Sequence, residues 1–417
     1  MKILALCPHY APDVAPTGEV MTAVAEAVAD LGHTFHLVTA LPWYRDHRVE
    51  PGWGGRLVRA DVDRVGRISR VHPFPTDKGN LVARALAFGG FTALAGLVAL
   101  FDRVRPDVVF AMSPPLTLGP AGWAVARARR VPFVFNVQDI FPDVAVELGM
   151  LTNPKVIGAA RALERFVYRH ADAVTVLSDD LADNVGSKLD PGADRTKVRV
   201  IPNFVDTERV RVASRHNAYR DEFGLGDATV VMYAGNVGFS QSLDLVVDAA
   251  RVFADRPDVV FVINGGGSAR AGLERRAAGL RNLRFVDMQP RERLSEVLAA
   301  ADLHVVPLKS GLARSSVPSK LYSILASGRP VLASVDAGTE VARTVERAGA
   351  GLAVGPEDSD AFVAALTDLV TSRARLDALG RSGRRFVEGW ASPAAVGAAY
   401  ADLFAELASR RRGRRAG

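Results

Sequence analysis

The sequence has one cysteine, Cys7, among 417 residues. An intrachain disulfide is therefore excluded. The thiol lies in an apolar run that reads as a first strand, so a small buried hydrophobe in a reducing, cytoplasmic compartment is expected. A secretory signal is missing as well. "MKILALC" has a single lysine, its apolar run is too short for the hydrophobic region of such a signal, and the chain turns at "PHYAP" directly afterwards. The G-x-G-x-x-G dinucleotide fingerprint does not follow that strand. No nucleic-acid recognition motif or aromatic stacking platform accompanies the basic residues, so no nucleic-acid partner is expected. The formal net charge of +6 owes much to the arginines of "RRRGRR", read as a membrane-surface or solubility tail over 410–417.

What is present is a globular composition, 48% hydrophobic and 24% charged, in a chain too long for one ordinary core. Apolar runs alternate with amphipathic stretches throughout. "KILALC", "TFHLVTA", "RISRVHPF", "DVVFAM", "PFVFNV" and "AVTVLS" read as strands in the first half, with helices over 18–31, 80–103, 117–130, 154–171 and 179–189. "TVVMYAG", "VVFVING", "LRFVDM", "LHVVPL", "RPVLAS" and "GLAVG" repeat the rhythm in the second half. Such alternation predicts an α/β chain of two doubly wound, Rossmann-like parallel-sheet domains with right-handed crossovers. The expected limits are 1–200 and 201–389, with a boundary near "VRVIPNFVDTE" and closing helices about 390–409 crossing back to the first domain. Ligands of such sheets sit beyond the carboxyl ends of the strands, and two facing domains would line one cleft.

Residues 81–101, "LVARALAFGGFTALAGLVALF", carry one charge, Arg84, and approach the length of a membrane span. Strands before and after this stretch belong to one sheet, which argues against a crossing. Two readings stay open: a buried crossover helix, or a helix lying in the lipid interface with Lys78 and Arg84 near headgroups. With the basic tail, the second implies peripheral contact at the cytoplasmic face of the plasma membrane.

Five strand-end loops are candidates for chemistry. Gly18 precedes a long helix, where backbone N–H groups and the helix dipole favour an anion, although for this motif alone a plain loop glycine is the better explanation. "NVQDIFPDVAVELG" brings Asp139 and Asp143 to a sheet edge, where a carboxylate orients a hydroxyl or takes its proton; the alternative for Asp139 is a turn cap before Pro142. Gly235, Asn236 and Gly238, and then Gly265 to Gly267, form glycine loops that admit a ligand to the backbone. The fifth is "SSVPSKLYSILASGRPVLAS". Leu321, Ile324 and Leu325 form an apolar helical face, and Ser315 or Ser316 is placed to cap it. Lys320 then stands in the first turn, where the dipole disfavours a cation. A bound anion explains that placement; a solvated surface lysine is the bland alternative.

Taken together and in order, these motifs resemble the family-4 retaining glycosyltransferases of the GT-B fold. The resemblance rests on "PTGEVMTAVAEAVADLGHTFHLVTALPWY", "VIPNFVD", "YAGNVGFSQSLD", "PSKLYSILASGRPVLAS" and "GTE", and covers nearly the whole chain. "QDIFP", "GNVGFSQ" and "PSK" are similar to the branch that builds O-antigen, colanic acid and other exopolysaccharides. The resemblance implies transfer of a hexosyl or N-acetylhexosaminyl group from a nucleotide sugar, most commonly UDP-linked. The acceptor would be lipid-linked or a growing glycan, the anomeric configuration would be retained, and no metal or other cofactor would be essential. It also implies donor-binding roles for Gly18, Gly235, Asn236, Gly238, Gln241, Gly265, Arg314, Ser319, Lys320 and Glu340, and catalytic roles for Asp139 and Lys320.

The chain departs from the wider family at four positions. Ser315 and Ser323 stand where two glutamates are usual, and Asn236 and Gln241 where an arginine and a lysine are usual. Lys320, with Arg314, is expected to supply the missing charge compensation for a diphosphate. A nucleotide-sugar epimerase of the same fold and a non-catalytic sugar-nucleotide-binding partner are the competing readings.

Overall fold

The apolar runs of the first half form an eight-stranded sheet. Its strands are β1 (Lys2–Leu6), β2 (Thr34–Ala40), β3 (Val58–Asp63), β4 (Gly66–Val71), β5 (Val108–Ser113), β6 (Phe133–Val137), β7 (Ala173–Val176) and β8 (Val198–Val200). The coordinates are a computed structural model that describes residues 1–45, 48–75, 81–147, 151–238, 240–311 and 319–416. The sheet order is β3-β4-β2-β1-β5-β6-β7-β8, and every pair is parallel except β3 with β4. The central strands β5, β6 and β7 are buried at every residue, as expected of parallel strands covered by helices on both faces. Strand β3 went unrecognised because it is an edge strand, exposed at nearly every position, and carries no apolar pattern.

The second half forms a six-stranded, wholly parallel sheet in the order β11-β10-β9-β12-β13-β14. These strands are β9 (Thr229–Ala234), β10 (Val259–Asn264), β11 (Leu283–Val286), β12 (Leu303–Pro307), β13 (Val331–Ser334) and β14 (Gly351–Val354). Both sheets reverse their winding once, between β1 and β5 in the first and between β9 and β12 in the second. Ligands of doubly wound sheets bind in the crevice at such a reversal.

The chain divides into one unit of Met1–Asn203 with Pro393–Gly417, and another of Phe204–Ser392. In the first, the closing helix Pro393–Ala416 returns to pack on the helix Pro16–Asp30, where a Cβ at Gly397 would lie 2.6 Å from that of Ala27. The arginines expected to form a separate tail continue this helix to residue 416, and Arg410 and Arg412 pair with Glu406 and Asp107.

The apolar stretch at 81–101 becomes the helix Leu81–Leu100, with two contrasting sides. Phe91, Ala95 and Ala99 enter the core of the first unit. Leu86, Leu97 and the following Phe101 remain 73%, 53% and 77% exposed, with exposed Arg103 and Arg105 just beyond. Among the described residues no helix is long and apolar enough to cross a membrane.

Candidate functional site

In the second unit the helix Ser319–Ala326 follows β12, and its apolar face sets its position. Leu321, Ile324 and Leu325 are buried against Val306, Ala333 and Val387. Burying each such side chain contributes about 1.5–3 kcal/mol. Arg384 fastens the far end by donating to the Ala326 carbonyl at 2.5 Å, supplying a cation where the helix dipole favours one. The first turn is thereby held at the carboxyl edge of the sheet.

Lys320 projects from that turn and is not a solvated surface lysine. Its Nζ donates to the Tyr233 hydroxyl at 3.0 Å and to Gln241 Oε1 at 3.0 Å, and lies 4.4 Å from the centre of the Tyr233 ring. The Tyr233 hydroxyl in turn donates to the Asn236 carbonyl at 2.6 Å. Every described partner is neutral, and burial alone lowers the Lys320 pKa from 10.5 to about 8. That difference corresponds to about 3 kcal/mol against the charged form. Beside the ammonium opens a cavity of about 240 Å³ lined by Gly235, Asn264, Met288, Leu294, Ser323 and Lys320, among others. It falls below the ~300–1,000 Å³ common for pockets that enclose a whole small molecule, and so matches a fragment such as a nucleobase better than an entire sugar nucleotide.

The glycine loops act differently from the expectation of bare backbone presented to a ligand. The N–H of Gly235 donates to Asn264 O at 2.9 Å, and that of Gly265 to Val286 O at 2.8 Å, so both extend the sheet ladder. Gly265 has φ 154°, and a Cβ there would come within 1.9 Å of the Gly235 carbonyl. It lets two neighbouring strand ends approach, and Gly235 then forms part of the cavity wall. Gly238 packs under the Asn236 amide, whose nitrogen a Cβ would meet at 2.9 Å. Ser319 is the first residue of the helix. Arg314 and the capping serines Ser315 and Ser316 lie outside the described residues.

Glu340 was expected to face the donor, but the structure turns it inward. It is 2% exposed and accepts from Arg347 at 2.7 Å, Thr344 at 3.0 Å and Arg343 at 3.2 Å, pinning its own helix, Glu340–Ala348.

In the first unit the two carboxylates after β6 part company. Asp143 accepts from Lys188 Nζ at 2.6 Å, and the same ammonium reaches the buried Glu164 at 2.7 Å, so Asp143 belongs to an internal ion cluster. Asp139 has no hydrogen-bond partner among the described residues and caps no turn. Its outer surface is open to solvent, yet enough protein surrounds the carboxyl that desolvation raises its pKa. The adjacent Gln138 is fixed, donating to Asn136 at 2.7 Å and accepting from Asn203 at 2.9 Å. Gly18 lies inside the first turn of Pro16–Asp30, where a Cβ would meet His9 Cβ at 2.9 Å and the Asp13 carbonyl at 3.3 Å. The space at this glycine is taken by the chain's own β1 loop.

Residues 17–203 match the family described as "Glycosyl transferase 4-like domain" and residues 228–372 match "Glycosyl transferases group 1". The chain belongs to the family-4 glycosyltransferases. It is 28% identical over 376 residues to the colanic acid biosynthesis glycosyl transferase WcaI of Escherichia coli K12, covering 88% of this chain and 91% of the relative. A GDP-mannose-dependent phosphatidylinositol monomannoside mannosyltransferase of Mycolicibacterium smegmatis is 29% identical, covering 67% of this chain and 71% of the relative. Among solved structures, sucrose-phosphate synthase from Thermosynechococcus elongatus superposes with a TM-score of 0.70 at 18% identity, over 98% of this chain and all of that one. The Anabaena protein HepE, in complex with UDP, gives 0.65 at 14% identity, again over 98% of this chain and all of that one. The shared architecture is GT-B.

Within this glycosyltransferase, two groups of residues with a bearing on the site escaped the sequence reading. Tyr233 and Asn264 lie at the carboxyl ends of strands that flank the cavity; a tyrosine two residues before a strand-end glycine was the available signal. His9 and Asp13 form a pair after β1, for which the four-residue spacing in "PHYAPD" was the only sign.

Proposed function

We propose that the chain is a retaining glycosyltransferase that moves a sugar from a nucleoside diphosphate, UDP in the first instance, to a lipid-linked or growing surface glycan. The observation that carries this reading is Lys320: a half-buried ammonium with only neutral described partners, at the sheet's reversal point, beside a cavity of nucleobase size. A cation kept there without a carboxylate is suited to an anionic ligand. As the bond between the sugar carbon and the diphosphate breaks, charge builds on the departing oxygens. A preplaced cation stabilises that charge more than it stabilises the ground state. The acceptor hydroxyl forms the new bond on the same face, and its proton passes to a base. Asp139, without a partner among the described residues and with a pKa raised by desolvation, is assigned that role or the orientation of the hydroxyl. Lys320 supplies the charge compensation that a metal would otherwise give, so the reading requires no metal.

The test is a mass-spectrometric screen of UDP- and GDP-linked sugars against polyprenyl-diphosphate sugars in membranes, with NMR of the product's anomeric centre. A transferred sugar of retained configuration is expected, with activity unchanged by EDTA. Turnover of the nucleotide sugar without any acceptor sinks the reading.

We assign the exposed stripe Leu86–Leu97–Phe101, with Arg103 and Arg105, to contact with an anionic membrane surface. Co-sedimentation with phosphatidylglycerol vesicles is expected to fall when Leu97 and Phe101 are changed together to serine. Equal sedimentation of the variant refutes the assignment.

A further inference from the structure

The β1 loop of the first unit holds a side-chain cluster to which the reading above gives no part. His9 Nδ1 lies 2.7 Å from Asp13 Oδ2, and the Asp13 side chain is wholly buried. The other Asp13 oxygen accepts the Tyr44 N–H at 3.1 Å, so the carboxylate is fixed from two sides. The imidazole stacks on Trp43 with ring centres 5.7 Å apart, and the Tyr44 ring meets it edge-on at 5.4 Å. Gly18 completes the seat, since any side chain there would press on His9 Cβ. Three elements thus fix one ring: the loop after β1, the loop after β2 and the first turn of Pro16–Asp30.

The remaining ring nitrogen, Nε2, makes no hydrogen bond among the described residues. It is not sealed in either, because the side chain keeps a tenth of its surface. A carboxylate on Nδ1 favours the tautomer with Nδ1–H donating to Asp13, which leaves the Nε2 lone pair facing outward as an acceptor. The position is the carboxyl end of β1, at the reversal point of this sheet, where ligands bind.

A second histidine–carboxylate pair in the same sheet offers a contrast. His36 also pairs with a buried carboxylate, Asp102, but its Nε2 is bonded to Ser69 Oγ at 3.0 Å and all three side chains are buried. That arrangement has the connectivity of a nucleophilic triad and is closed to solvent. The His9 pair shares only the inner carboxylate contact, with its outer nitrogen left open among the described residues.

We propose that His9, oriented by Asp13 and backed by Trp43 and Tyr44, is the hydrogen-bonding group of a sugar subsite on the first unit, accepting from a hydroxyl of the acceptor sugar. Tyr44, 38% exposed, adds an aromatic surface of the kind a pyranose ring packs against. His9 is a positioning residue for the acceptor and takes no part in breaking the donor bond. The assignment of the sugar as acceptor rests on the glycosyltransferase reading; the sugar subsite does not.

Two substitutions separate the ring's inner and outer nitrogens. Asparagine reproduces the position of Nδ1 and keeps Asp13 partnered, whereas glutamine reproduces the position of Nε2. The probes are the methyl α-glycosides of glucose, mannose and galactose, read by saturation-transfer NMR on the full chain, with UDP and GDP binding measured by calorimetry in parallel. At least one glycoside is expected to bind the wild type. His9→Asn should weaken that binding about threefold to tenfold, the worth of one hydrogen bond, while His9→Gln stays near wild type and nucleotide binding is the same in all three. Absence of glycoside binding to the wild type overturns the proposal, as does His9→Asn binding like wild type. Loss in His9→Gln but not in His9→Asn also overturns it, because the inner contact would then be the one that matters. Failure of the transferase reading looks different: glycoside binding follows the expected pattern, but no sugar is transferred in the membrane screen.

Discussion

The two units wind their strands alike yet furnish the reversal point with opposite electrostatics. In the second, Lys320 is a cation held by a phenol and an amide, with its charge uncompensated among the described residues. In the first, His9 is an imidazole held by a buried carboxylate. A cation without a counter-ion raises the free energy of the empty site and lowers it when an anion arrives. An imidazole tied to a carboxylate presents no uncompensated positive charge, and offers direction rather than charge. On the two proposals above, one topology would carry a diphosphate site in one unit and a hydroxyl site in the other.

The most forceful way to break this comparison is Lys320→Met, which keeps the volume and removes the charge. If the ammonium stabilises the departing diphosphate, kcat/KM should fall about 10²–10³-fold, the usual effect of deleting one preorganised electrostatic group. Folding should respond in the opposite direction. Burial of the charged amine costs about 3 kcal/mol, so the variant is expected to melt at the same temperature as wild type or higher. Reduced thermal stability with unchanged turnover would make Lys320 an ordinary structural lysine.

A pH profile sharpens the same contrast. With the Lys320 pKa at about 8 in the empty site, kcat/KM should decline as pH rises through that value. The limb in kcat should sit higher, because bound diphosphate favours the ammonium. Both limbs should vanish in Lys320→Arg, whose charge persists. Stability runs the other way. An unfolded lysine titrates near 10.5, so between about 8 and 10.5 the unfolded chain binds the extra proton and this group makes stability rise with pH. Below about 8 both states carry the proton and the cost of burying it is present in full. A descending limb near 8 that persists in Lys320→Arg would assign it to another group.

The placement of Lys320 in a first helical turn was legible in the sequence because its argument is local: a helix start can be read from neighbouring residues, and a cation there contradicts the dipole. The strands were legible for a related reason, since parallel strands buried on both faces are continuous apolar runs. Strand β3 lacks that burial and left no pattern. The remainder depends on contacts far apart in the chain. Tyr233 meets Lys320 across 87 positions, and Lys188 engages Asp143 across 45. Asp139 and Asp143 stand four positions apart, and nothing near them in sequence tells which one is paired with a cation. Glu340 illustrates the same limit, because the arginines and threonine on its own helix turn its carboxylate inward.

The smallest expected effect comes from Gly18→Ala, which tests how the first unit builds its side of the comparison. The added methyl would meet His9 Cβ at 2.9 Å and the Asp13 carbonyl at 3.3 Å, inside van der Waals contact. Overpacking of this kind costs about 1–3 kcal/mol, and part of it can be relieved by tilting the imidazole away. If Gly18 serves the β1 loop, the variant should raise the acceptor KM a few-fold and leave the donor KM alone. If it instead admits a phosphate to the helix start, the donor KM should rise and the acceptor KM stay put. The two constants, measured on one variant, therefore decide whether this glycine belongs with the hydroxyl-binding corner or with the diphosphate.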